Sequence, residues 1–337
     1  MKLQSVCICF LLTALTSCGA HKTRAAKTGE AAQARQFDFT YGVRLPQIPK
    51  NVRSLRIWIP IASSDQHQTV KLINMNGTVP LRITREPEYG DRMAYAEIPN
   101  PHFSTAKFTL TYHVRRETYS VGSLRQLMVE NNEPVQITPA LLRFVQPDRL
   151  IPIDGEIKRI ADKVIAGRKG EIAKAHAIYA YVFHHMRYDK SGTGWGHGNA
   201  VWACNAKHGN CTDFHSLFIA MMRAEGIPAR FVIGFPLPPG KEQGVIPGYH
   251  CWAEFYMAGK GWVPVDISEA WLNPSKFGYF FGTVDSNRVR FSMGRDITLE
   301  PRQAGPPVNY FVYPYVELNG KPYKAVQCHF SFRNTSS

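Results

Sequence analysis

The order of apolar and polar positions divides the chain into a strand-like part, a helical part and a second strand-like part. Phe37, Phe39 and Tyr41 alternate with other residues, residues 55–59 (Leu-Arg-Ile-Trp-Ile) form a short apolar run, and Phe108, Leu110 and Tyr112 alternate again. A period of two marks half-buried strands, and Pro and Gly punctuate the segment without an amphipathic helix between them. Residues 37–120 are therefore predicted to form a β-sandwich. After Pro152 the period changes. Asp154 can cap a helix in which Ile157, Ile160, Ala161, Val164 and Ile165 share a face, and Gly167 ends it. A second helix is predicted over 171–187, burying Ile172, Tyr179, Val182, Phe183 and Met186. A Gly-rich loop leads to a third, which starts near Cys211, buries Phe214, Leu217, Phe218, Met221 and Met222, and stops at Gly226-Ile227-Pro228. Strand candidates follow at 230–235, 250–257 and 262–267, and Asn319-Gly320 between two aromatic runs signals a hairpin.

The first residues stand apart from this pattern. Lys2 precedes an apolar run over 6–15, too short for an ordinary membrane-spanning helix. The run ends in Leu15-Thr16-Ser17-Cys18, small residues before a cysteine, as in the lipobox of bacterial lipoprotein signals. Residues 1–17 are expected to be a signal peptide and Cys18 the lipidated first residue of the mature chain. Residues 18–36 are small and polar and read as a tether reaching on the order of 20 Å. The expected location is the bacterial cell envelope, on the periplasmic side of the outer membrane in a Gram-negative host.

Of 337 residues, 40 are Lys or Arg and 26 Asp or Glu, a net charge of +14 that becomes +13 when Lys2 is removed. Such a balance outside the cytoplasm suits anionic lipid head groups or an acidic envelope polymer. The basic residues are dispersed and form no nucleic-acid motif, so nucleic acid is not an expected partner. Four cysteines remain after Cys18, too few for a disulfide scaffold, and whether one pair is bridged stays open.

A cysteine nucleophile needs a lowered pKa, which a helix N-terminus and a nearby imidazolium supply. Cys211 stands where Gly209-Asn210 enters an apolar helix, with Asp213 inside the first turn. Downstream, His250 opens one strand candidate and Asp266 closes the next, with a turn at Ala258-Gly259-Lys260-Gly261 between them. An even-sum register, such as Trp252 opposite Asp266, places His250 and Asp266 on one face as diagonal neighbours. The carboxylate would then orient the ring, whose other nitrogen serves Cys211. Glu254 shares that face and can border the site or form a salt bridge. Residues 236–248 are expected as a loop lining the cleft. Cys204, His208, Cys211 and His215 offer a rival zinc set, but their spacing fits no familiar pattern and leaves His250 and Asp266 unexplained.

The order Cys, His, Asp, carried by Gly-Asn-Cys-Thr-Asp-Phe-His-Ser-Leu, Gly-Ile-Pro-Ala-Arg, Tyr-His-Cys-Trp-Ala-Glu and Gly-Trp-Val-Pro-Val-Asp, resembles the bacterial transglutaminase-like superfamily over about 155–270. The resemblance implies an α+β, papain-like fold, with the cysteine on a central helix packed against an antiparallel sheet that carries the histidine and aspartate. It assigns Cys211 as nucleophile, His250 as general acid and base, and Asp266 as its orienter. The chain is expected to divide after the β-sandwich into a connector at 121–153, a catalytic domain over 154–300 and a C-terminal hairpin over 301–337; no cofactor is expected, and the calcium dependence of animal relatives is not carried over. One oxyanion donor is the backbone N–H of Cys211; the resemblance implies a second upstream, for which Trp202 and Trp195 are candidates. The expected reaction is attack on an amide of a protein or peptide through an acyl-thioester, completed by water or by an amine. The alternative is a non-catalytic binding or scaffold module on the same fold.

Overall fold

The computed structural model describes residues 34–129 and 134–335. Cys18 and the tether up to Gln33 lie outside the described residues, and the segment read as tether gives its last three residues to a strand. That strand, β1 (Ala34–Leu45), turns Phe37, Phe39, Tyr41, Val43 and Leu45 inward, as the alternation requires. It is followed by β2 (Ser54–Ile61), β3 (Gln68–Gly77), β4 (Arg82–Arg85), β5 (Arg92–Pro99) and β6 (Ala106–Glu117). After two short helical turns at Leu124–Val129 and Pro139–Leu142 come the helices α1 (Gly155–Ile165), α2 (Glu171–His185), α3 (Ala200–Ala206) and α4 (Cys211–Ala224). Strands β7 (Ala229–Pro236), β8 (Gln243–Ile246), β9 (His250–Met257) and β10 (Gly261–Val265) come next, then the short helix α5 (Ile267–Leu272). Strands β11 (Arg288–Met293), β12 (Tyr315–Leu318), β13 (Lys321–Pro322) and β14 (Gln327–Asn334) complete the chain. Asp154 takes the cap position of α1, but its side chain makes no capping hydrogen bond.

Two five-stranded sheets run β8-β14-β1-β6-β3 and β13-β12-β2-β5-β4, and a four-stranded antiparallel sheet runs β10-β9-β7-β11. The first two are not closed by residues 37–120 alone. Strand β14 pairs with β1 from Phe37↔Asn334 to Arg44↔Gln327, and β12 pairs with β2 through Val316↔Ile57. The hairpin around Asn319-Gly320 forms, with Leu318 opposite Lys321, and its first strand is built into the sheet of β2. Alternation reveals which face of a strand is buried but not its partner, so this long-range closure left no local mark. Within 236–248, β8 is a strand paired with β14, which makes this stretch part of a sheet as well as a loop.

Helix α4 is buried on every side except at Ala224, its polar Thr212, Asp213, His215, Ser216 and Arg223 included. A helix so placed is the axis of its domain, and the four-stranded sheet packs against it. Cys251, Ala253 and Phe255 of β9 face α4, with the rings of Phe255 and Phe218 6.4 Å apart. Trp252 and Glu254 face the other way. No helix among the described residues is long and apolar enough to cross a membrane.

Gly234 sits at a register shift between β7 and β11 and pairs with His250 across β9. A Cβ there would lie 1.8 Å from the Val289 carbonyl oxygen, a backbone atom that cannot turn aside. Gly234→Ala should therefore cost about 1–3 kcal/mol or more through overpacking. Urea unfolding checks this, and a midpoint within error of wild type would contradict it.

Candidate active site

Asn210 and Asp213 form a reciprocal capping box at the start of α4. The Asn210 side chain accepts from Thr212 N–H (2.9 Å), and Asp213 Oδ2 accepts from Asn210 N–H (3.0 Å). Asp213 also accepts from Gly196 N–H (2.7 Å) and Gly198 N–H (3.0 Å), which fixes the Gly-rich loop to the helix N-terminus. Gly209 can carry no side chain here, since a Cβ would stand 2.4 Å from Asp213 Oδ2 and φ is +154°. On the other side of the loop the buried Arg295 donates to the carbonyls of His197 and Gly198 (both 3.1 Å) and to Ser216 Oγ (2.6 Å). Cys211 is thus the first residue of a rigidly held helix.

The register that brings His250 to Asp266 is Ala253↔Val265, the pattern in which Trp252 stands opposite Asp266. His250 Nε2 lies 2.7 Å from Asp266 Oδ2, in a buried pair. That leaves Nδ1 for the Cys211 thiol, which hydrogen-bonds the ring. Cys211, His250 and Asp266, separated by up to 55 positions, are therefore in one hydrogen-bonded line.

Neighbours that the sequence did not single out complete the site. Arg288 donates to Asp266 Oδ2 (2.8 Å), so a cation and the imidazole share one carboxylate oxygen. Ser268 Oγ (3.2 Å) and Glu269 N–H (3.1 Å) occupy Oδ1, because Asp266 is also the N-cap of α5. Tyr249 sets its hydroxyl against Thr212 Oγ1 (2.9 Å) and Asn210 Nδ2 (3.1 Å) at the mouth of α4. Cys251 hydrogen-bonds the Cys211 thiol from within the α4–β9 interface. Tyr249 and Cys251 flank His250 in sequence, a signal open to reading; Arg288 belongs to a plain strand pattern and gave none.

The electrostatics follow from these contacts. The Cys251 hydrogen bond, ahead of that from His250, holds the Cys211 thiol well below its ordinary value despite burial. Burial and the neighbouring Cys211 push Cys251 up, so it stays protonated and able to donate. Burial alone would lower His250, but the charge and hydrogen bond of Asp266 outweigh it and raise the ring well above its usual range. Burial likewise opposes the Asp266 charge, and His250 and Arg288 overcome it, holding the carboxyl well below the usual range. His215, fully buried, is pushed down to about 4 by burial. It accepts from Ile267 N–H at Nε2 (3.0 Å), so its proton sits on Nδ1, 3.7 Å from Cys251 Sγ. A thiolate beside an imidazolium, with a charged carboxylate behind it, can attack a carbonyl carbon and return a proton to the leaving group.

The remaining expected residues fall elsewhere. Glu254 pairs with Arg230 (2.6 Å) away from Cys211. Trp195 donates its indole N–H to the Gly192 carbonyl (3.3 Å), whereas the Trp202 indole Nε1 packs beneath Gly194. The rival zinc residues are dispersed: His208 Nδ1 faces the Asp189 carbonyl (3.2 Å) and His215 is engaged as described. Among the described residues no group of three or more His, Cys, Asp or Glu is arranged to hold a metal. Cys204, Cys211, Cys251 and Cys328 are all free thiols.

Residues 158–267 match the family model of the transglutaminase-like superfamily, a span that contains Cys211, His250 and Asp266. An uncharacterized protein of Haemophilus influenzae is 29% identical over a 347-residue alignment, covering 91% of this chain and 93% of its own. Bacillus subtilis YebA is 34% identical over 80 residues, 21% of this chain and 11% of its own. A crystal structure from Cytophaga hutchinsonii, described as a candidate cysteine protease, superposes with a TM-score of 0.60 at 19% identity. It covers 91% of this chain and 92% of its own, and the likeness is one of fold.

Of the four described thiols only Cys211 is shifted downward; Cys204, Cys251 and Cys328 are all raised by burial. Iodoacetamide at pH 6, read by peptide mapping, should label Cys211 first. Removing the imidazolium with His250→Ala takes away part of what favours the thiolate, so the alkylation midpoint should move to higher pH and the rate at pH 6 fall at least about 10-fold. An unchanged profile would mean that the pair does not operate as described.

Proposed function

From a chain that carries a transglutaminase-like core at residues 158–267, we propose a cysteine enzyme that cleaves amide bonds of protein or peptide substrates through an acyl-thioester. The observation that carries this reading is His250, bound to Asp266 at 2.7 Å and to Cys211 on its other side. The Cys211 thiolate attacks the amide carbonyl, and His250, charged in the resting state, protonates the departing nitrogen. His250 then accepts a proton from the incoming nucleophile, whose oxygen or nitrogen displaces Cys211 from the thioester. Asp266 keeps the ring oriented and its cation stable. The backbone N–H of Cys211, at the head of α4 without an intrahelical acceptor, is one oxyanion donor. Trp202 is the second in this reading, since the Trp195 indole N–H is already bound to a carbonyl.

Water is the proposed acceptor. An amine channel needs walls that exclude water, and Trp252, two residues after His250 on the same strand, is the aromatic side chain that could supply one. Trp252 instead lies beneath Arg288, 5.1 Å from ring centroid to guanidinium, and lines a separate cavity. Lipidation at Cys18 would hold the enzyme at the envelope, a proposal that rests on Leu15-Thr16-Ser17-Cys18 alone. The basic charge of the chain fits an anionic envelope polymer as a further partner.

Cys211→Ala should abolish turnover, His250→Ala should nearly do so, and Asp266→Asn should lower it by about 10²–10⁴ with the circular dichroism spectrum retained. The assay follows ammonia, new peptide termini and incorporation of a fluorescent primary amine from glutamine-rich protein. Turnover surviving in Cys211→Ala sinks the mechanism, and incorporation matching ammonia one for one makes the protein an acyltransferase instead.

Anchoring has its own check. In bacteria the wild type should take up labelled fatty acid and partition into detergent, and Cys18→Ala should do neither. A soluble, unlabelled wild type would end the lipoprotein reading.

A further inference from the structure

A cavity of about 440 Å³ lies between the end of β6, the turn at 65–67 and the face of β9 and β10 opposite α4. None of Cys211, His250 and Asp266 lines it. Arg116, Arg230, Arg290, Lys260, Asp65 and Glu254 supply its charges. Both carboxylates are engaged, Glu254 with Arg230 at 2.6 Å and Asp65 with Arg290 at 3.0 Å. Arg116 is different. It is 3% exposed, its Nε is buried without an acceptor, and its guanidinium makes no hydrogen bond or ion pair among the described residues.

A buried guanidinium normally has its donors satisfied, because the lost hydration must be replaced. Here burial first, and the nearby Arg288 and Arg290 as well, depress Arg116 to about 10, against the opposing pull of Asp65 and Glu254. The group is still a cation at neutral pH. The fork of an arginine fits the paired oxygens of a carboxylate or phosphate. The walls around it are already fixed. His67 stacks on Tyr119 at 3.6 Å, the Tyr119 hydroxyl donates to the Trp262 carbonyl, and Arg230 lies 4.0 Å from the Trp262 ring. The volume is that of a small-ligand site, and its lining combines aromatic rings with cations.

We propose that this cavity binds a small organic ligand through a carboxylate or phosphate group, with Arg116 as the anion-binding residue and the aromatic walls covering the ligand body. The site does not depend on the acyl-transfer chemistry proposed above. It uses the sheet face that α4 leaves uncovered.

Titration calorimetry on the purified protein tests this with N-acetylphenylalanine, its primary amide, phenyl phosphate and inorganic phosphate. At least one anion should bind saturably, the amide at least 10-fold more weakly than the acid where the acid is the better ligand, and Arg116→Gln should weaken the bound anion at least 10-fold. Tighter binding of the acid identifies a carboxylate ligand; tighter binding of the phosphates identifies a phosphate ester or free phosphate. No saturation up to on the order of 10 mM, equal binding of acid and amide without phosphate binding, or full affinity in Arg116→Gln would overturn the proposal. Should Arg116→Gln not fold, the indole N–H resonance of Trp262, assigned with Trp262→Phe, decides the matter in the wild type. It should shift on adding the anion that binds, and titration shifts confined to other residues would overturn the site.

Discussion

The site depends on one buried charge, the carboxylate of Asp266. It is fully buried, and a carboxylate there would take up a proton unless donors replaced its water. The donors come from separate parts of the fold: His250 from β9, Arg288 from β11, and Ser268 and the Glu269 N–H from the first turn of α5. His215 of α4 stands 3.7 Å from the same group, neutral because burial holds it so. Four elements therefore meet at one anion, and each must be in place for the others to be stable. The orientation of the His250 ring is a by-product of this packing. Removing one donor exposes the charge to an uncompensated interior, which is costlier than losing a surface pair.

The approach to Cys211 is held by a complementary device. The Gly-rich loop presents N–H groups to Asp213 and carbonyls to Arg295, so its backbone is satisfied from both sides by one acid and one base. Neither charge pairs directly with the other; each is neutralised through the loop between them. Glycines at 194, 196 and 198 adopt positive φ values in this stretch, and a Cβ at Gly198 would meet Ser216 and Thr212. The same residues that make the segment look flexible in sequence are those that let it lie flat on the head of α4. That position brings Trp202 under Gly194 and leaves the helix N-terminus facing His250.

Much of the site was legible because it is locally encoded. Cys211 follows a cap residue and precedes an apolar helix, and an even-sum register across the turn at 258–261 is enough to place His250 and Asp266 together. The helices at 155–165 and 211–224 follow from periodicity with their caps and stops, and the one predicted over 171–187 ends at His185, with Arg187–Tyr188 extended instead. What escaped depends on distant partners. Nothing near Arg288 indicates that its strand adjoins Asp266, and nothing in 327–334 indicates that it closes a sheet with β1. Tyr249 and Cys251 were visible as neighbours of His250, but their contacts with Asn210, Thr212 and Cys211 exist only once β9 lies on α4. Glu254 was expected on the face of His250 bordering the site, yet with Trp252 it lines a cavity of its own.

Strand β9 explains how one short segment supports two environments. Its odd residues face α4, where Cys251 meets Cys211 and His215, while Trp252 and Glu254 face the arginine-rich cavity. His250 is the first residue of the strand and interacts with both Cys211 and Asp266. Arg288 balances the Asp266 charge with one nitrogen and lies over the Trp252 ring, so the outer face of the sheet is tied to the buried carboxylate. The cations Arg116, Arg230 and Arg290 continue that face. The anionic state of Cys211 is favoured by Cys251 and His250, and that of Asp266 by His250 and Arg288, so of the arginines on this side of the sheet it is Arg288 that reaches the site.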